Sequence, residues 1–355
     1  MKQLLLHIGT GKTGTTSIQH AITRAFKEKN LGNVTYPDIS GSNHNFVAEV
    51  YKDPKRLSRS SRHRYRSQLR NNTFTELTSR VRDNLRQWIA KNDCTILSGE
   101  YFGGLSALEV QQFYEDLQLW GVERVRVLIY IRHPSSYYLS FIQQQLKGSH
   151  QITHPEVFKY RFRQSIQRWQ AVTTDVIVRQ FDRCNLIGND VISDFVRQVS
   201  DFFGEVIEGD RIGLIRENES LSAEGMLILQ RYRFLFHRAR KNVPATDSGK
   251  LLRILTGSQA LMKQTKAEIS PAAGQLITER HREDIVWLLE HFQIDLSHDG
   301  AEQCVEGCLP DKSPGHSRSD LEFVLDSYDE KILEELLFLC LHESLAGRIP
   351  VRSGI

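Results

Sequence analysis

The residues most able to do chemistry stand near the start, in GTGKTGTTS. Gly9, Gly11 and Gly14 let the backbone approach a ligand closely. Lys12 adds a full positive charge, and Thr13, Thr15, Thr16 and Ser17 add four hydroxyls within five positions. Ile18, Ala21, Ile22, Ala25 and Phe26 follow at helical spacing. The loop therefore opens a helix, whose first amides and positive dipole end favour an anion. An ordinary glycine turn capped by threonine needs no lysine and fewer hydroxyls. A nucleoside-triphosphate loop of the form G-x-x-x-x-G-K-[ST] would place its first glycine at position 6, where Leu6 stands.

A second anion-binding group is legible in VLIYIRHPSSYYLS. Arg132 ends an apolar run, Pro134 can start a helix, and Ser140 lies eight residues beyond Arg132. An arginine at a strand end beside a helix start is a good clamp for a phosphate. Two anion cradles on one sheet suggest a nucleotide carrying phosphates at two places.

These residues need strands and helices to hold them. Leu4–Ile8, Thr95–Ser98, Val127–Ile131 and Val176–Val178 are short apolar runs that read as buried strands. Leu139, Ile142 and Leu146 mark a helix after the third. Strands alternating with helices predict an α/β fold with a central, mostly parallel sheet between helical layers, which binds ligands at its carboxyl edge. Glu100 follows the second run, so it sits at that edge. His44 lies in a loop after the first helix, and imidazole titrates in a useful range. Arg179, after VIV, suits either a substrate contact or a pair with a carboxylate at the core's edge. Near the C-terminus, Ile332, Leu336, Leu337 and Leu341 predict a helix packed back on the core.

The HIGTGKTGTTSIQ stretch resembles the 5′-phosphosulfate loop of sulfotransferases that use 3′-phosphoadenosine 5′-phosphosulfate (PAPS). The Arg132–Ser140 interval is similar to their 3′-phosphate motif. The likeness is closest to bacterial carbohydrate-type enzymes and extends more loosely through residues 36–50, 95–102, 176–183 and 216–222. Gly11 stands where many relatives carry proline, which leaves the cradle intact. The resemblance implies a P-loop-like three-layer fold and a sulfotransferase domain over 1–296; it does not extend to 297–355, where the polar Pro/Gly/Ser stretch 310–320 and the apolar spacing beyond it predict a linker and helical extension. It implies PAPS as co-substrate, held by Gly11, Lys12, Thr13, Gly14, Thr15, Thr16, Ser17, Arg132 and Ser140, with no metal required. Lys12 would stabilise the leaving oxygen. Glu100 would be the general base, since relatives place a Glu or His at the equivalent strand end. His44 is the other candidate for base or substrate contact. Arg216, Asn218 and Ser220 are weaker candidates for nucleotide contact. A nucleotide kinase and a catalytically silent PAPS-binding protein are the alternative readings.

Composition bounds the partners. In 355 residues, 46 basic against 43 acidic side chains give a net charge of +3, with no global nucleic-acid signature. Residues 51–70 are the local exception, with eight Lys or Arg against one Asp. That segment is either a solvated face or a patch for an anionic acceptor or a membrane surface. Five scattered cysteines form no disulfide framework, and Cys304, Cys308 and His316 fall short of the four ligands that zinc needs. No apolar run approaches the roughly 20 residues of a membrane helix, and no signal-peptide pattern opens the chain. The expectation is a cytoplasmic enzyme acting on a carbohydrate, glycolipid or small-molecule acceptor, with no nucleic-acid partner.

Overall fold

The computed structural model describes residues 1–39, 41–57, 61–62, 74–205, 207, 220–239, 245–297 and 320–346. These form two compact units that interleave along the chain. The first comprises Met1–Arg132, Arg161–Glu217 and Glu290–Ile294, and the second His133–Tyr160, Asn218–Leu289 and Asp295–Ile355. One boundary falls at 294, and the units alternate earlier in the chain because His133–Tyr160 and Asn218–Leu289 belong to the second.

The first unit holds β1 (Lys2–Gly9), α1 (Thr15–Lys27), β2 (Val34–Thr35), α2 (Asn45–Glu49), α3 (Phe74–Lys91), β3 (Cys94–Ser98), α4 (Ala107–Leu119) and β4 (Val122–Ile131). The second unit contributes α5 (Pro134–Leu146), and the first continues with α6 (Phe162–Gln170), β5 (Val176–Gln180) and α7 (Val191–Phe203). All the strand pairs are parallel, in the order β2-β3-β1-β4-β5. The apolar runs read from sequence fall inside β1, β3, β4 and β5. β1 occupies the middle of the sheet, and Leu4, Leu5, Leu6 and Ile8 are fully buried, as a strand covered on both faces requires. On one face, Leu5, Leu128 and Tyr130 pack with Ile18 and Ile22 of α1 and Phe195 and Val199 of α7. Helices α4 and α6 pack on β4 from the other side, joined through the rings of Phe102, Phe113 and Trp169. The result is an α/β architecture with helices flanking an all-parallel sheet.

The second unit is helical. Besides α5 it contains α8 (Ala223–Phe236), α9 (Thr246–Gly257), α10 (Pro271–Arg280), α12 (Asp320–Val324) and α13 (Glu330–Leu345); α11 (Arg282–Phe292) crosses the boundary between the units. Helix α13 packs on α8 and α9. Leu336 and Cys340 are its buried residues, whereas Leu337 and Leu341 face outward. The inner face therefore runs through Leu336 and Cys340, one turn apart, and not through Leu337 and Leu341. No helix among the described residues is long and apolar enough to cross a membrane. Most of the basic segment lies outside the described residues, as do Cys304, Cys308, His316, Arg216 and Asn218.

Candidate functional site

The sheet's central strand delivers its loop to the carboxyl edge. β1 ends at Gly9, which lies opposite Tyr130 of β4. Thr10 Oγ1 donates to the Tyr130 carbonyl at 2.7 Å, pinning the loop's first residue to β4. The chain then turns through left-handed conformations at Gly11 (φ 78°), Lys12 (φ 59°) and Gly14 (φ 70°). For Lys12 that conformation costs about 1 kcal/mol relative to ordinary backbone, a local strain typical of ligand clamps. Gly14 must be glycine on two counts. Its φ is left-handed, and a Cβ there would come within 2.8 Å of Val191 Cγ1.

Gly14 is also the residue that starts α1, and no side chain caps the helix. Thr13 and Thr15 are buried, and neither hydroxyl has a hydrogen-bond partner. Two orphaned buried hydroxyls beside an uncapped helix start are costly unless an acceptor arrives. Thr16 is exposed and Ser17 half-buried. Left-handed turns of this kind present backbone N–H groups to an anion. The donor set fits a tetrahedral oxyanion: amides, hydroxyls and the Lys12 ammonium.

Glu100 comes to the same place. It opens a 3-10 turn, Glu100–Gly104, directly after β3. A Cβ on Gly9 would collide with Thr15 Oγ1 and come within 2.9 Å of Glu100 Cγ, so both side chains close over Gly9. Burial raises the Glu100 carboxyl above its ordinary value, and the charge on Lys12 partly opposes this. A carboxylate so placed is a better base than an exposed one.

His44 is placed otherwise. It is fully buried, its Nε2–H donates to the Pro37 carbonyl at 2.8 Å, and Nδ1 accepts from the Ser98 N–H at 2.9 Å. Burial lowers its pKa to about 4. With both ring nitrogens engaged, the imidazole has no lone pair left for a proton from substrate, which tells against its candidacy as base. Its work is structural. The His44 backbone N–H also donates to the Ser98 carbonyl at 2.7 Å, and Asn45 Oδ1 accepts from the Tyr101 N–H at 3.0 Å. His44 and Asn45 thus grip the chain on either side of Glu100. Asn45 was not singled out from sequence, and its only signal there was adjacency to His44.

Arg132 follows β4 directly, with its guanidinium 6.0 Å from the centre of the Phe181 ring. The same ring lies against Gly14, 3.2 Å from where a Cβ would stand. Phe181 therefore touches both the loop and the arginine, a link invisible in sequence. Ser140 lies in α5 of the second unit and is half-buried. Of the two roles open to Arg179, the structure shows the ion pair. Its guanidinium binds buried Asp194, which also accepts from Tyr130 Oη at 2.8 Å and the Ile187 N–H at 3.1 Å. Ser220 is exposed, and its carbonyl accepts from Gln259 at 2.7 Å. No group of three or more metal-ligating side chains occurs among the described residues. Comparison with protein-family models, with curated proteins and with solved structures returned no match to this chain.

Proposed function

We propose that this chain is a PAPS-dependent sulfotransferase acting on a hydroxyl or amine of a carbohydrate, glycolipid or small-molecule acceptor. The observation that carries the reading is the convergence at Gly9: a strained, lysine-bearing anion loop with two orphaned buried hydroxyls, closed by a carboxyl group whose pKa is raised. The resemblance of HIGTGKTGTTSIQ to phosphosulfate loops supports it from the sequence side. PAPS supplies an activated sulfuryl group whose departing phosphate oxygen gains negative charge. Lys12 faces that charge, and stabilisation where charge develops is often the largest catalytic contribution. Glu100 takes the proton of an acceptor hydroxyl onto its carboxylate. The loop amides and the Thr13 and Thr15 hydroxyls hold the anionic group in the ground state.

A kinase reading is weaker because Leu6, where the loop's first glycine would be required, is buried in the middle of β1. Calorimetric titration separates the two. Adenosine 3′,5′-bisphosphate should bind more tightly than ATP with magnesium, and the reverse order would favour a kinase. Lys12→Ala should then lower the rate of sulfate transfer by about a thousandfold while retaining nucleotide binding. A loss of less than tenfold would remove Lys12 from the chemistry.

A further inference from the structure

The 3-10 turn that begins with Glu100 carries a second charged visitor. Lys52 stands just beyond α2, its backbone N–H donating to the Glu49 carbonyl at 3.1 Å. Its side chain is half-buried, with Nζ 4.8 Å from the centre of the Tyr101 ring. Nζ is also 3.6 Å from where a Cβ on Gly104 would stand, which places the ammonium against the turn's last residue. Tyr101 and Gly104 both belong to the turn opened by the candidate base.

The surroundings leave this ammonium underused. Burial lowers the Lys52 pKa, against the raising influence of the Glu49 and Glu109 charges. Both carboxylates are committed elsewhere. Glu109 accepts from Arg56 Nη1 at 2.7 Å, the Ser106 N–H at 2.7 Å and the Asp53 N–H at 3.1 Å. Glu49 is buried and accepts from Ser61 Oγ. Among the described residues no carboxylate forms an ion pair with Lys52. An aromatic face attracts an ammonium without consuming its three N–H donors. Glu49 and Glu109 act on the ammonium only at a distance; holding it partly out of water with no carboxylate bonded to it is unfavourable, and an arriving oxyanion would supply that contact.

We propose that Lys52, seated on Tyr101 beside Glu100, is an acceptor subsite for a carboxylate or sulfate group, so that the preferred acceptor is an anionic carbohydrate. This deepens the sulfotransferase reading and rests on it. A lone ammonium is a point charge without a fixed fork, so it accepts either oxyanion. The neighbouring sequence adds positive charge in the same sense, and Arg62 is exposed there.

The test uses three probes that differ in one substituent: p-nitrophenyl β-glucuronide, the 6-sulfate of p-nitrophenyl β-glucoside, and the neutral glucoside. Affinities are measured by calorimetry for the full chain, with and without saturating adenosine 3′,5′-bisphosphate, which carries no sulfuryl group to transfer. The wild type should bind at least one anionic glycoside about tenfold more tightly than the neutral one, the worth of one charge-assisted contact. Which anion gains more tells carboxylate from sulfate. Lys52→Gln should erase that preference, leave the neutral glycoside and the nucleotide unchanged, and be rescued in part by Lys52→Arg. Equal binding of the three probes, no binding of any, or equal losses in Lys52→Gln would overturn the subsite. Failure of the bisphosphate to bind would instead strike the sulfotransferase reading, and the nucleotide-free arm would still report on Lys52.

Discussion

At the end of β1 the chain leaves the sheet through Gly11, Lys12 and Gly14 in left-handed conformations, and the Thr13 and Thr15 hydroxyls are buried without partners. At the end of β3, one strand away, the polar groups around Ser98 and Tyr101 are tied down, and of their side-chain partners it is His7 whose second ring nitrogen, Nε2, is buried without one. The Ser98 N–H and carbonyl bond His44, Ser98 Oγ is 2.9 Å from His7 Nδ1 and accepts from Gln19 at 3.2 Å, and the Tyr101 N–H reaches Asn45. On the proposed reading the first end holds the ligand's anionic group, whereas the second is a mount for one side chain, Glu100. Buried polar groups are ordinarily satisfied, so the contrast separates binding surface from scaffold more sharply than burial alone. It also explains why two histidines cluster where neither is suited to acid–base work.

The mount should break first under acid, and this is the largest effect expected. Burial lowers the pKa of His7 to about 3 and that of His44 to about 4, from an ordinary 6.5. The unfolded chain therefore takes up protons that the native state refuses. The stabilisation is complete above pH 6.5 and is lost as pH falls from there toward the folded values. Between pH 7 and 5, before ordinary carboxylates titrate, the pair should cost on the order of 3 kcal/mol. Urea midpoints measured across that interval check it, and a flat profile would show that the β3 mount does not depend on neutral imidazoles.

Glu100→Gln sharpens the comparison by keeping the mount and removing the base. The rate of transfer to a hydroxyl acceptor should fall about a hundredfold, at the lower end of what general bases contribute. The wild-type rate should also rise with pH through a limb above the ordinary carboxyl value of 4.5, because burial raises this group. The variant should lack the limb. A pH–rate profile that keeps it would place the base elsewhere.

How far the sequence could be read differs between the two ends for the same reason. The β1 loop is a local object. Its glycines, lysine and hydroxyls are adjacent in the chain, and a buried parallel strand announces itself as LLLHI. The α/β class and the runs of β1, β3, β4 and β5 were legible on the same grounds. The β3 mount is assembled from His7, Gln19, His44, Asn45 and Ser98, whose pairing depends on three-dimensional closure. His44 therefore looked like a titrating loop residue until its two nitrogens were placed. The interleaved units were illegible for a similar cause: α13 recognises α8 and α9 across a long sequence gap. β2 has only two residues, too few to leave a periodic signal.

Arg132 gives the smallest and most selective test, on the ligand-receiving side of the comparison. It stands at the end of β4, the strand beside β1, and its guanidinium faces Phe181, the ring that also lies against Gly14. If it clamps a second phosphate, as its place in IRHPSSYYLS suggests, removing it should cost one charged contact and leave the loop's own anion site alone. Arg132→Ala should weaken adenosine 3′,5′-bisphosphate by about 2 kcal/mol, some thirtyfold, and adenosine 5′-phosphate much less. Phe181→Leu is the control for indirect effects, because it removes the shared ring while keeping the guanidinium. That change should weaken both nucleotides to a similar, smaller extent, since the ring supports the loop and the arginine together. Equal losses for both ligands in Arg132→Ala would mean that Arg132 also acts by supporting the loop through Phe181, and the second phosphate would have to be held by another cation.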